Sequence, residues 1–387
     1  MQTTTEPAYP AARVIAPTIE AYFAHHLNVA RHHGVEELAP EPDAGAIETI
    51  IDASFWASLR KEEGYSPKIS LAFLPPERSK EPLTFEQHLR LTPAVLARLA
   101  PAVERPGIHL GVWREKDDGE ELRVWGTTRA IPTLCFVLEV IEPGLLVVKY
   151  RRSQETGKYV NVVVLRSDEI KVVDQEGTGL IDCPDMLTPM LSFGAHIHKA
   201  EPEPVNALVQ LAASMRAHGR GGSLLVVPQT SRKWRESILP TLPYSVSPSY
   251  GELAELMRRS VDEKKEQTWQ EAFIDAVDAI AGLTAVDGAA VITDEYELLA
   301  FGAKISRRDG DVRVERVMLT EPVVGGTAAV IQPLELGGTR HLSAAQFVHD
   351  QQDSLAMVAS QDGRFTIFAW SPCEQMVHAH RVETLLL

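Results

Sequence analysis

Long hydrophobic runs are missing from this chain of 387 residues, and so is any pattern among its cysteines. No apolar stretch approaches the roughly 20 residues that a membrane helix needs. The three cysteines, Cys135, Cys183 and Cys373, are too far apart for a disulfide framework or a zinc pattern. Isolated buried thiols in a reducing compartment are therefore expected. The first residues, Met1-Gln2-Thr3-Thr4-Thr5-Glu6-Pro7, lack the charged-then-apolar layout of a secretory signal, and a cytoplasmic protein is the expectation. Basic charge is scarce too: 38 Lys and Arg stand against 53 Asp and Glu, a net charge of −15. So acidic a chain is not expected to hold nucleic acid or an anionic membrane by its general surface. A local basic pocket for phosphates is untouched by that argument. Internal repeats and low-complexity tracts are absent as well.

What is present suits a soluble globular protein. Hydrophobic residues make up 44% and charged residues 24%, and the length leaves room for two or three domains. The first half reads as helices followed by a sheet. Residues 11–33 carry Val14, Ile15, Ile19, Tyr22 and Phe23 near helical spacing. A second helix is expected from about Gly45 to Glu62, capped by Asp43, with Ile47, Ile50, Ile51, Phe55 and Leu59 on one face. Thr92-Pro93 opens a shorter one. Strands are expected at 108–113, 122–125, 135–141, 145–150, 159–165 and 170–173, making a largely antiparallel sheet.

Glu201-Pro202-Glu203-Pro204 is the expected boundary, because alternating proline resists helix and central strand alike. It divides the chain into domains 1–200 and 204–387. Beyond it, helices are expected at 205–217, 251–259 and 269–280, and strands at 221–227, 286–292, 297–305, 312–319, 355–359 and 365–370. Intermixed helices and strands predict a mixed sheet covered by helices. The fold class is thus α/β in the second domain and α+β for the whole chain.

Two motifs carry the chemistry. Asp287-Gly288-Ala289 sets a carboxylate beside a glycine at the mouth of an apolar run. Read blandly, Asp287 caps a turn; read functionally, it binds a divalent cation and draws a proton from a ribose hydroxyl, while Gly288 lets a nucleotide lie close. Gly337-Gly338-Thr339-Arg340-His341-Leu342-Ser343 reads as a glycine loop running into a helix, whose first amides point at anions. Thr339 and Ser343 add hydroxyls, Arg340 adds a planar fork for phosphate oxygens, and His341 offers a metal or phosphate ligand. The bland alternative is Thr339 as a helix cap beside exposed Arg340 and His341. The pairs His25/His26, His32/His33, His196/His198 and His378/His380 lack acidic or cysteine partners at zinc spacing and are read as structural or solvated.

These motifs, in this order, resemble the Asp-Gly-Ala and Gly-Thr-Arg-His-Arg elements of the diadenylate cyclase domain, the enzyme fold that condenses two ATP molecules into cyclic di-AMP. Phe301-Gly302-Ala303 resembles the family's strand near the adenine, Arg220 to Val226 its first strand, and Asp353 to Ser360 its late strand ending in serine. The resemblance spans roughly 204–387. It implies Asp287, Arg340 and His341 as catalytic residues. Gly288, Ala289, Phe301, Gly302, Gly338, Thr339, Ser343 and Ser360 would contact the nucleotide, with Asp287 and His341 toward the metal. It also implies Mg²⁺ or Mn²⁺, ATP as substrate, and a second copy of the chain facing the first head-to-head. The sequence departs from the pattern where Leu342 replaces the second arginine, where Gln361 follows Ser360, and where residues 261–283 resemble an insertion. An inactive cyclase-like sensor of ATP or cyclic di-AMP therefore stands beside the enzyme reading. Residues 1–200 resemble accessory, sensory regions that precede such domains.

Overall fold

The computed structural model describes residues 8–115, 121–151, 159–174, 205–308 and 310–387. The chain is an α+β protein built on two mixed sheets. Its described residues fall into two compact units, one ending at Val173 and including Leu387, the other made of Asp174 and residues 205–386. The proline–acid tetrad, the 116–119 loop, Cys183, His196 and His198 lie outside the described residues. Of the other thiols, Cys135 is buried as expected, but Cys373 is exposed, because it sits in the turn that precedes the last strand. Among the described residues no helix is long and apolar enough to cross a membrane.

In the first unit, α1 (Pro10–His32), α2 (Ala44–Ser58) and α3 (Pro93–Leu99) accompany eight strands. These are β1 (Ile69–Phe73), β2 (Pro82–Arg90), β3 (His109–Arg114), β4 (Leu122–Thr128), β5 (Phe136–Glu142), β6 (Leu145–Arg151), β7 (Tyr159–Arg166) and β8 (Glu169–Val172). Their order is β2-β4-β3-β1-β5-β6-β7-β8. Only the β1–β3 pair is parallel. The helix starts follow the chemistry read from the sequence. The Asp43 carboxylate accepts from the Ala46 N–H at 3.1 Å, and the Thr92 hydroxyl accepts from Val95 at 3.3 Å. Ile15, Ile19, Phe23 and Leu27 of α1 and Ile47, Ile50 and Ile51 of α2 join the sheet in one core. Each such side chain contributes roughly 1.5–3 kcal/mol when fully buried.

Two of these strands escape the sequence pattern. β1 is five wholly buried residues, too short to separate from any other apolar run. β2 is an edge strand, mostly exposed and with a register shift, so it shows no alternation to read. A chain of polar contacts crosses the sheet where apolar packing would be the default. Ser70 Oγ lies 2.7 Å from His109 Nδ1 and donates to Glu139 at 3.3 Å. His109 Nε2 lies 2.8 Å from the Tyr159 hydroxyl, and Lys149 pairs with Glu139 at 2.5 Å. Donation from Ser70 to Glu139 leaves His109 Nδ1–H to donate to Ser70, and Nε2 to accept from Tyr159. Burial, then the charges of Lys149 and Arg151, push the His109 pKa down to about 3.

The second unit has α4 (Ala207–Ala217), α5 (Glu252–Arg258), α6 (Gln267–Leu283), α7 (Pro333–Leu336) and α8 (Thr339–Asp350). Its strands are β9 (Gly222–Val227), β10 (Tyr244–Tyr250), β11 (Ala289–Thr293), β12 (Leu298–Ala303), β13 (Val317–Thr320), β14 (Ala329–Ile331), β15 (Leu355–Ala359), β16 (Phe365–Ser371) and β17 (Met376–Arg381). The order is β10-β12-β11-β9-β15-β16-β17-β13-β14, with β9–β11 and β13–β17 parallel. Alternate residues of the central strands go to opposite faces. Leu224, Val226 and Met357 pack with α4 and α6, whereas Leu225, Val227 and Val358 pack with α8. The result is a sheet between two helical layers. Residues 261–283 are integral to it, since Trp269, Phe273, Val277 and Ile280 of α6 fill the first face.

Several expected bounds move. The strand expected at 286–292 begins only at Ala289, so Asp287 and Gly288 precede it. Only 317–320 of the strand expected at 312–319 is regular, because 312–314 bond to a helix side chain instead of a neighbouring strand. β10, β14 and β17 are additional. His378 and His380 both lie on β17, where His380 meets the Thr320 hydroxyl at 2.6 Å and His378 meets Glu374 at 3.1 Å.

Candidate functional site

α8 organises the site. It starts at Thr339 directly after Gly337-Gly338, and no side chain caps it. The His341 amide donates to the Gly338 carbonyl at 3.1 Å, which leaves the Thr339 and Arg340 amides for an anion, and the helix dipole favours negative charge there. The bland reading of Thr339 as the cap does not hold: Gly338 takes that position. Nor is His341 exposed. It is 3% accessible, its ring packed against Gly337 and edge-on to Phe368 at 6.1 Å. Its Nε2 has no hydrogen-bond partner. Burial is the largest influence on its pKa, and Arg381, Arg364 and Arg340 add to it against the opposing Asp362. The result is a value lowered to about 4, so the imidazole is neutral at neutral pH.

A cleft of about 310 Å³ opens at this helix start. Gly338, Thr339, Arg340 and His341 form one wall, and Ser360, Gln361, Asp362 and Arg364 form another. Ser360 donates to Asp362. Burial works to raise the Asp362 pKa, but the Ser360 hydroxyl, the Arg364 amide and the Arg364 charge outweigh it and hold it below the usual range. The cleft thus presents guanidinium groups, a hydroxyl and the first helix amides beside the Asp362 carboxylate, while the unpaired Nε2 of His341 is itself buried. Such a set suits phosphate oxygens.

The Asp287 motif lies on the neighbouring part of the sheet. Asp287 is 93% exposed and pairs with Lys304 at 2.5 Å. Lys304, through hydrogen bond and charge, holds its pKa below the ordinary value, and Arg340 adds to the effect. Asp287 is therefore not an unpaired acid at a strand mouth, and the charge of Arg340 reaches it from the other motif. Gly288 adopts φ +118°, and a Cβ there would lie 2.4 Å from the carbonyl carbon of Gly302. The close approach at Gly288 is made by the backbone of Gly302, while Ala289 pairs with Ala303 across β11 and β12. Gly302 is also left-handed, at φ +68°, with the Tyr244 ring where its side chain would be. Tyr244 stacks on Phe301 with centroids 4.7 Å apart and planes 12° from parallel.

Ser343 and Leu342 face a different cleft, of about 350 Å³, shared with Arg307, Arg308, Arg313 and Gln346. Sequence reasoning missed Tyr244, Lys304, Arg313 and Asp362. Tyr244 sits on a strand rich in serine and proline, which gives no strand pattern. The other three carry no local motif, and only the fold brings them to α8.

Among the described residues no three His, Cys, Asp or Glu side chains cluster as a metal cage. Mg²⁺ bound through one carboxylate and substrate phosphates needs no such cage. An exposed, ionised Asp287 fits that role for Mg²⁺ and for Mn²⁺, which shares the preference for oxygen ligands, whereas the Nε2 of His341 is buried.

Residues 36–129 match the family described as "Probable sensor domain DACNV". No diadenylate cyclase domain is matched, and no curated protein matches the chain. The DACNV match runs from before α2 to just past β4. It covers the half-sheet β2-β4-β3-β1 and stops short of β5 to β8. Ser70 and His109 lie inside it, whereas their partners Glu139 and Tyr159 lie beyond it. A cleft of about 620 Å³ at its border is lined by Leu38, Arg78, Ser79, Lys80, Ile131 and Arg151, among others.

Proposed function

We propose that residues 204–387 form a nucleotide-binding domain acting as a diadenylate cyclase, and that residues 1–200 regulate it. The observation that carries this reading is the convergence of two motifs distant in sequence. Arg340, on the first turn of α8 beside the cleft that also holds His341 and Ser360, adds to the lowering of the Asp287 pKa, so the two motifs influence one another although Asp287 is not part of the cleft lining. The DACNV match adds support, because that sensor domain is associated with diadenylate cyclases.

In each of two steps the 3′-hydroxyl oxygen of one ATP bonds to the α-phosphorus of the other. The bond from that phosphorus to the bridging oxygen breaks, and pyrophosphate leaves with the electron pair. The Asp287 carboxylate, ionised at neutral pH, takes the hydroxyl proton. Arg340, Thr339, the α8 amides and Ser343 hold the phosphates in line, so that catalysis is mainly positioning and charge neutralisation. Neutral His341, its Nε2 buried, lines the cleft without adding positive charge. The stacked Phe301 and Tyr244 offer an apolar edge for the base. Mg²⁺ or Mn²⁺, held by Asp287 and the phosphates, would neutralise charge on the α-phosphate. One such site holds one ATP, so the reaction requires a second copy of the chain head-to-head with the first.

The full chain incubated with ATP and Mn²⁺ is expected to yield cyclic di-AMP by mass spectrometry, and Asp287→Asn is expected to abolish it without unfolding the protein. ATP binding with no product under either metal would sink the cyclase. Leu342 in the second arginine position favours the other reading, a nucleotide sensor without turnover, and that outcome would establish it.

A further inference from the structure

We infer that the arginine-lined cleft on the flank of α8 is a polyphosphate subsite, in which Arg307 and Arg313 grip the terminal phosphates of the bound molecule. The inference rests on the nucleotide reading for the identity of that molecule, but not for the chemistry of the cleft. Among the described residues its lining holds three guanidinium groups, a serine hydroxyl and no carboxylate. In a protein of net charge −15 that concentration of one sign is a local exception. Arg308 is engaged by Glu236 at 3.1 Å. Arg307 and Arg313 form no ion pair among the described residues, and both are exposed. Planar guanidinium forks of this kind pair in bidentate fashion with phosphate.

The segment that carries them has no regular structure, yet it is pinned to α8 by buried polar groups. Gln346 accepts from the Val314 amide at 3.0 Å and donates to the Val312 carbonyl at 3.1 Å. The Asp350 carboxylate, fully buried, accepts from the Arg308 amide at 2.9 Å and from Gln346 at 2.8 Å. Burying an amide and an acid to fix an irregular segment is costly unless each is satisfied, and here each is.

Position ties this cleft to the first one. Thr339, Ser343 and Gln346 follow one another along a single face of α8. Thr339 borders the cleft at the helix start, while Ser343 and Gln346 line the arginine cleft. On the other side Lys304, which pairs with Asp287, is next in the chain to Ile305 of the lining. A chain of phosphates anchored at the first turn of α8 thus runs naturally down this face. Leu342 contributes to the same wall. The guanidinium absent from that position is therefore supplied from across the cleft.

Calorimetric titration of the full chain with ATP, AMP and inorganic tripolyphosphate tests this. ATP is expected to bind at least about tenfold more tightly than AMP, as one charge-assisted pair suffices to produce. In Arg307→Ala/Arg313→Ala the ATP affinity should fall toward that of AMP and tripolyphosphate binding should fall likewise, with AMP unchanged. Adding Leu342→Arg to that variant should restore much of the preference for ATP. If neither nucleotide binds but tripolyphosphate does so through the two arginines, the nucleotide reading fails and the subsite stands. The subsite is overturned if the wild-type chain does not bind tripolyphosphate, or if the double variant binds it as well as wild type.

Discussion

Gly288 shows how one residue ties the site to the fold. Its φ of +118° is strained for any side chain, and the space a Cβ would need is filled by Gly302 backbone, at 2.4 to 2.8 Å. Backbone cannot swing aside as a long side chain does, so β12 itself would have to move. Gly288→Ala should therefore destabilise the second unit by about 2–4 kcal/mol, read as a lower urea midpoint. Gly282, near the end of α6, makes a contrast of opposite sign. A Cβ there meets nothing within 4 Å, and alanine in a helix limits the unfolded chain, so Gly282→Ala should add about 0.5–1 kcal/mol. If both changes shift the midpoint equally, the steric account of Gly288 is wrong. The sequence shows that Asp287-Gly288 marks a special backbone position. It cannot show that the neighbour is another glycine fourteen residues away, because that proximity is created by strand pairing. Tyr244 is hidden for the same reason, since its stacking on Phe301 depends on β10 joining the sheet.

Among elements, α8 and the segment 305–314 behave as one piece, and Gln346 joins them. Gln346→Leu would leave the Val314 amide and the Val312 carbonyl without their partner and remove one donor from buried Asp350. A loss of about 1–3 kcal/mol is expected. Hydrogen exchange should quicken at the amides of 310–314 and remain slow in β9, β11 and β15. Exchange that rises evenly through the sheet would contradict a local clasp. Helices were legible in the sequence because their apolar spacing and caps are local: Asp43, Thr92 and the isoleucines of α2 all do what their spacing suggests. Strands were legible where an apolar run is bounded by turn residues, in the edge strand β8 as in the central β15, and were missed even in the sheet interior at β1 and β17. β1, β2, β10 and β14 are short, exposed or proline-bearing, and they owe their existence to a neighbouring strand. The segment 312–316 misled because its valines alternate like a strand, whereas Gln346 takes its hydrogen bonds.

For the molecule as a whole, three of the four buried histidines among the described residues shape its response to acid. Burial, the largest influence on each, lowers His109 and His380 to about 3 and His341 to about 4, all from an ordinary 6.5. In the unfolded chain they bind protons below 6.5, while in the folded chain they stay neutral until pH nears 4. Between those limits the unfolded state holds more protons, so stability must fall as pH falls. The carboxylates Asp287 and Asp362 have depressed pKa values and make the folded state lose stability only at lower pH, as it falls through the carboxylate range. The window from 6.5 down to about 4 thus belongs to the histidines. Each contributes a loss of about 2 kcal/mol on going to pH 5, His109 in the first unit, His341 and His380 in the second. His341→Phe keeps a ring beside Gly337 and Phe368 but removes the nitrogen that has no partner. Urea unfolding followed from pH 7 to pH 5 should therefore show a shallower decline for the second unit in this variant, by roughly one proton's worth, with the decline of the first unit unchanged. An unaltered pH slope would mean that His341 is not held neutral in the folded chain, and that the cleft at the start of α8 carries one more positive charge than its burial allows.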